Sequence, residues 1–246
     1  MEKYNIQNIK EQQVACIFGK RGSGRTNLLA HTLNMLCFTG PFEDRFAGAY
    51  FMSSSAHART TILHEFAGSV EVGDPQDLQT LETFCTRQIN GLRHGSKVCI
   101  IFDDMIYESN KGRQPWSFPY TFQSTYQLTR YPERFQSLII YAHSNCPVDL
   151  FARIPTKKPD SYFCFWDADE VKRKVCNMIA CERYEDKLFP HGKPEDFSCV
   201  VVANNKKYIY KTSFKTTFIP KIIQDFKKRL HTANWHSADI KLIFSG

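Results

Sequence analysis

The segment Gly19-Lys20-Arg21-Gly22-Ser23-Gly24-Arg25-Thr26, directly behind the apolar run VACIF at 14–18, constrains this chain more than any other feature. Its glycines permit backbone angles closed to other residues, so successive amides can turn inward around an anion. A helix predicted from about 26 to 37 begins where the loop ends and adds the positive end of its dipole. Strand, glycine-rich turn and helix, in that order, are the setting in which such a loop binds nucleotide phosphates.

The candidate ATP-binding residues are therefore Gly19, Lys20, Arg21, Gly22, Ser23, Gly24, Arg25, Thr26 and Asn27. The Thr26 hydroxyl is placed to ligate Mg2+. Arg25 stands where the pattern G-x-x-x-x-G-K-[ST] has lysine, so a wide planar fork replaces a compact ammonium. Lys20 offers a second cation. Either Lys20 or Arg25 is expected to reach the γ-phosphate, with both required for full activity. The alternative is a loop that binds nucleotide weakly and does not hydrolyse it.

VCIIFDD at 98–104 reads as a strand buried on both faces that ends in two carboxylates. In that position Asp103 would hold the magnesium shell and Asp104 would polarise the attacking water. Loop and acid pair are expected to meet at neighbouring strand tips. SLIIYAH at 137–143 is a further buried strand, and His143 at its end reads either as a γ-phosphate sensor or as a polar cap. Arg130, Arg134 and Arg153 flank this strand and are candidates for a finger inserted into a neighbouring subunit's site.

The rest of the chain repeats the same grammar. AYFMS at 49–53 and SYFCFW at 161–166 read as strands, 77–93 as a helix, and 108–119 as a Pro/Trp/Tyr-rich loop before a helix near 121–130. A helix follows at 167–184, then CVVVANNKKYIYK at 199–211 as a hairpin turning at Asn204-Asn205, then a helix at 219–231. Buried strands alternating with helices predict an α/β fold, a mostly parallel sheet covered on both faces. The domain reading is 1–215 for the nucleotide-binding unit and 216–246 for a basic C-terminal extension.

Charge is unevenly placed along the chain. From Asn205 onward, nine basic and two acidic residues account for the whole net charge of +7. A neutral body with a basic tail suits a polyanion ligand, slightly ahead of a merely solvated face. The polar N-terminus lacks the apolar run of a signal peptide, and no stretch is long and apolar enough to span a membrane, which predicts an intracellular protein. Several of the nine cysteines lie within apolar runs and read as small buried hydrophobes; Cys176, Cys181 and His191 fit no paired zinc spacing.

The order of GKRGSGRT (19–26), IIFDD (100–104) and SLIIYAHS (137–144) resembles the FtsK–HerA superfamily. Within it, the chain is similar to the DNA-packaging ATPases of large double-stranded DNA viruses of poxvirus and iridovirus type. The loop at 145–165 and the hairpin at 199–211 are similar to stretches of that family. The resemblance covers about residues 10–215, and its specific parts are the phosphate loop and IFDD. It implies a RecA-like P-loop core with Mg·ATP, and a ring of subunits, hexameric or pentameric. It further implies translocation of double-stranded DNA into a capsid, with capsid or portal proteins as partners, at a virus assembly site in the host cytoplasm or nucleus. It also makes Arg153 the preferred finger. The family carries Lys at the place of Arg25 and Gln at the place of His143, and both departures bear on hydrolysis. A nucleotide-binding structural subunit is therefore the second expectation, and a small-molecule or nucleoside kinase, with 108–119 as its lid, the third.

Overall fold

The computed structural model describes residues 1–20, 22–39, 45–66, 70–74, 78–91, 97–104, 136–143, 159–166, 188–189, 195 and 198–211. Among these, nine strands form one sheet in the order β1-β9-β8-β7-β2-β6-β5-β3-β4. The strands are β1 (Glu2–Lys3), β2 (Val14–Phe18), β3 (Gly48–Ser53), β4 (Glu71–Gly73), β5 (Lys97–Asp103), β6 (Gln136–His143), β7 (Ser161–Phe165), β8 (Ser198–Ala203) and β9 (Lys206–Lys211). The helices are α1 (Arg25–Phe38), α2 (Ala56–Phe66) and α3 (Leu78–Gly91), with a 3-10 turn at Ile6–Glu11.

The six strands from β7 through β4 pair in parallel, and only β8 and β9 bring antiparallel pairing into the ladder. Every residue of β2 is buried, which a strand covered on both faces requires and which its unbroken apolar sequence supplies. Alternate residues point to two separate cores. Ala15, Ile17, Phe51, Ile101 and Ile140 pack with Leu28, Leu29 and Leu33 of α1 and Ile62 and Phe66 of α2. Cys16, Phe18, Met52, Ile100 and Tyr141 pack on the other face with Leu81, Phe84 and Cys85 of α3. The expected α/β fold, a mostly parallel sheet with helices on both faces, is what the structure shows.

One expectation is corrected. The strand carrying the phosphate loop and the strand carrying the acid pair are not neighbours, because β6 pairs with β2 on one side and with β5 on the other. The strand ending in His143 therefore lies between them, with Phe18 opposite His143 and Ala142 opposite Asp103. A parallel sheet puts all C-terminal strand ends on one edge, so the tips of β2, β6, β5 and β3 still converge there. The order reverses at β2, between β6 and β7, and such a switch point opens a crevice at that edge.

The expected hairpin is β8–β9, with Ala203 opposite Lys206. Asn204 and Asn205 have φ of 50° and 58°, the signs that a two-residue type I′ turn demands and that asparagine tolerates. The short strands β1 and β4, the 3-10 turn and α2 were not among the expected elements. The expected loop at 108–119 and the helices near 121–130, 167–184 and 219–231 lie outside the described residues, as do Cys146, Cys176, Cys181 and His191. Among the described residues no helix is long and apolar enough to cross a membrane. The turn gives a direct test: Asn205→Gly should hold or raise stability by up to about 1 kcal/mol, while Asn205→Val should lower it by about 1–2 kcal/mol. Thermal unfolding of the two variants checks this.

Candidate nucleotide site

The turn after β2 has the backbone its glycines foretell. Gly22 and Gly24 have φ of 81° and 108°, in the region where a side chain would be strained. Gly19 serves by size: a Cβ there would lie 2.5 Å from Ser23 Oγ and 2.7 Å from Phe165 Cβ. The Ser23 amide donates to the Lys20 carbonyl at 3.1 Å, closing the turn. Lys20 is exposed, and Arg21 lies outside the described residues.

Gly24 caps α1 without any side-chain hydrogen bond, and the first turn of the helix carries no acidic residue. The first intrahelical bond runs from the Leu28 amide to the Gly24 carbonyl at 2.9 Å. The amides of Arg25, Thr26 and Asn27 therefore have no acceptor within the helix. Thr26 and Asn27 are half-buried on this turn.

Arg25, the first residue of α1, is 8% exposed and reaches across to the end of β5. Its two terminal nitrogens donate to the two carboxylate oxygens of Asp104 at 2.8 and 2.6 Å. Asp103 Oδ1 stands 3.9 Å from the same guanidinium. This two-point geometry is available to arginine and not to lysine. The length of Arg25 thus joins loop to acid pair across the width of β6.

Asp103 and Asp104 differ in setting. Asp103 is 4% exposed and accepts a hydrogen bond from Ser53 Oγ, its register partner on β3, at 3.1 Å. Burial pushes its carboxyl up to about 6; Arg25 pulls it down, nearby Asp104 pushes it up again, and Ser53 adds a smaller downward pull. A carboxylate so short of compensation is one that a divalent cation would hold in its ionised form. Asp104 takes φ of 46°, and its amide donates to the Ala142 carbonyl at 2.9 Å. The Ser54 hydroxyl donates to the Asp104 carbonyl.

The structure thus brings together Gly19, Lys20, Gly22, Ser23, Gly24, Arg25, Thr26 and Asn27 on one turn and Asp103 and Asp104 opposite. The backbone of His143 ends the strand between them, and its side chain is outside what is described. Arg130, Arg134 and Arg153 are likewise outside the described residues. Sequence reasoning missed Ser53, Ser54 and Arg59. Arg59 of α2 donates to the Ser53 carbonyl and pairs with Asp74 at 2.9 Å. The serine run at 53–55 is the signal the sequence offers for them.

No protein-family model and no curated protein matches the sequence. Among solved structures, the chain is similar to the conjugation coupling protein TcpA of pCW3, in its monomer form with ATPγS. The TM-score is 0.61 at 10% identity, over 89% of this chain and 66% of that one. It is also similar to EccC of Thermomonospora curvata, ATPases 2 and 3 in complex with a signal sequence peptide, with TM-score 0.52 at 9% identity over 85% and 38%. The cytoplasmic domain of that type VII secretion ATPase gives 0.51 at 10% identity over 85% and 24%. The chain spans less than two thirds of the length of each. These likenesses show the fold, that of RecA-like P-loop ATPases.

The Arg25 contact makes a prediction for the nucleotide-free chain. Asp104→Ala should lower stability in urea by about 2 kcal/mol. This is less than the 3–5 kcal/mol for breaking a fully buried pair, because the Asp104 side chain is 28% exposed. No loss of stability would mean that the pair is not formed in solution.

Proposed function

We propose that this chain is an ATP-hydrolysing motor of FtsK–HerA type that moves double-stranded DNA, and that it packages a viral genome into a capsid. The observation that carries the reading is Arg25 bridging a glycine-rich phosphate loop to a tandem acid pair on a RecA-like sheet. The residues suit Mg·ATP. Phosphates would lie against the amides at the start of α1 that have no acceptor within the helix, where no acidic side chain competes. Thr26 and buried Asp103 would hold Mg2+, and the ion would supply charge neutralisation on the phosphate oxygens.

Asp104 would orient the attacking water and take its proton. To do so it must let go of Arg25, whose guanidinium occupies both of its oxygens. Arg25 then has a defined task, to leave the carboxylate for a phosphate, with Lys20 as the second cation of the loop. His143 at the tip of β6 would sense the γ-phosphate. In a ring of five or six subunits, Arg153 would serve as the finger from a neighbour. The basic region after Asn205 would meet DNA phosphates without regard to sequence, as a motor on any duplex requires. Capsid or portal proteins are the partners this role implies, at an assembly site in the host cell.

The same contact favours a second reading, a nucleotide-binding subunit with impaired hydrolysis. If Arg25 never leaves Asp104, the carboxylate stays neutralised and water is not activated. Phosphate release distinguishes the two. The motor predicts ATP hydrolysis that rises with duplex DNA and falls about 10²–10⁴-fold in Asp104→Asn. Lys20→Ala should weaken it, and Arg25→Lys should retain or raise it. Calorimetric binding of ATP without phosphate release under any DNA condition would select the second reading.

A further inference from the structure

The end of β3 approaches both carboxylates through two successive hydroxyls. Ser53, fully buried, donates to Asp103 Oδ2 at 3.1 Å and accepts from the Ser55 amide at 3.1 Å. With the Ser55 amide on its oxygen, the single hydroxyl proton of Ser53 is directed at Asp103. Ser54 donates instead to the main-chain carbonyl of Asp104. The turn that carries both is fixed by Arg59, which donates to the Ser53 carbonyl and is itself held by Asp74.

Asp104 is where this support matters most. Asp104 takes a positive φ, which aspartate tolerates better than most non-glycine residues but which is still uncommon. Here the peptide groups on both sides of the residue are tied, its amide to Ala142 of β6 and its carbonyl to Ser54 after β3. That backbone angle goes with a carboxylate that meets Arg25 at two points. We propose that Ser53 and Ser54 are positioning residues for the acid pair, Ser53 through the Asp103 side chain and Ser54 through the Asp104 backbone, so that Ser54 keeps the Asp104 carboxylate aimed at Arg25. The inference deepens the proposed triphosphate site and rests on it for its catalytic consequence.

A double-mutant cycle on the full, nucleotide-free chain tests it without any hydrolysis. Ser54→Ala, Arg25→Met and the double variant are compared by urea unfolding. If Ser54 acts through the Asp104–Arg25 contact, the loss in the folding equilibrium constant caused by Ser54→Ala should shrink roughly threefold or more once Arg25 is removed. An additive cycle would overturn the inference, because a merely structural serine costs the same with or without Arg25. Ser54→Cys, which keeps the size and weakens the donor, serves the same cycle if the alanine variant does not fold.

Kinetics give the second reading. Because Asp104 must leave Arg25 before it acts on water, Ser54→Ala, which loosens that contact, should shift kcat for ATP with KM little changed, and Ser54→Thr should return kcat to the wild-type value. A change in KM alone would count against a role at Asp104. Wild type that hydrolyses nothing would sink the proposed motor while leaving the unfolding cycle to judge the serines.

Discussion

A guanidinium held at two points by a carboxylate organises the functional edge of this protein. Arg25 opens α1 and Asp104 follows β5, and their contact joins the loop to the acid pair although β6 separates the two strands. Removing two charges from water is costly, and only good geometry with further hydrogen bonds compensates for it. The geometry is bidentate, Asp103 Oδ1 adds a second carboxylate 3.9 Å from the guanidinium, and the 28% exposure of the Asp104 side chain lowers the cost. The same contact ties the cation of the phosphate loop to the group that would activate water. In the proposed site, stability of the nucleotide-free protein and release of the carboxylate for chemistry would therefore be opposed at one contact.

The sheet makes that contact possible. Two cores, one on each face, hold the parallel strands in a register that leaves their C-terminal ends level. Strand ends level with one another put Ser53 beside Asp103, Asp103 beside Ala142 and His143 beside Phe18. A register slip of one residue would reverse every side chain on the strand and dismantle both the cores and the site. The positive φ of Asp104, one that aspartate tolerates, is tied down by hydrogen bonds on both sides, its amide to Ala142 and its carbonyl to Ser54.

Much of this was legible beforehand because the central elements are long and their chemistry is local. VACIF and VCIIF are unbroken apolar runs, and each lies in a buried strand. Asn204-Asn205 carries its turn within two residues. The glycine-rich turn is recognisable from the eight consecutive residues 19–26. What escaped was either too short or too distant. β1 and β4 have two and three residues, too few to show a period, and they exist because β9 and β3 offer edges to pair with. The bonds from Arg25 to Asp104 and from Ser53 to Asp103 cross 79 and 50 residues, so they depend on strand order that no local pattern contains. The assumption that loop strand and acid strand are neighbours failed for the same reason, since β6 comes later in the chain and inserts between them.

The central claim is that the turn at 19–26 and the acids at 103–104 hold one triphosphate and its metal together. Calorimetric titration of the full chain with ATPγS, with and without Mg2+, tests it most directly when run beside Asp103→Asn. Mg2+ is expected to tighten binding to the wild type, and the tightening to be lost in the variant. Equal binding with and without metal in the wild type, or an undiminished metal effect in Asp103→Asn, would contradict it.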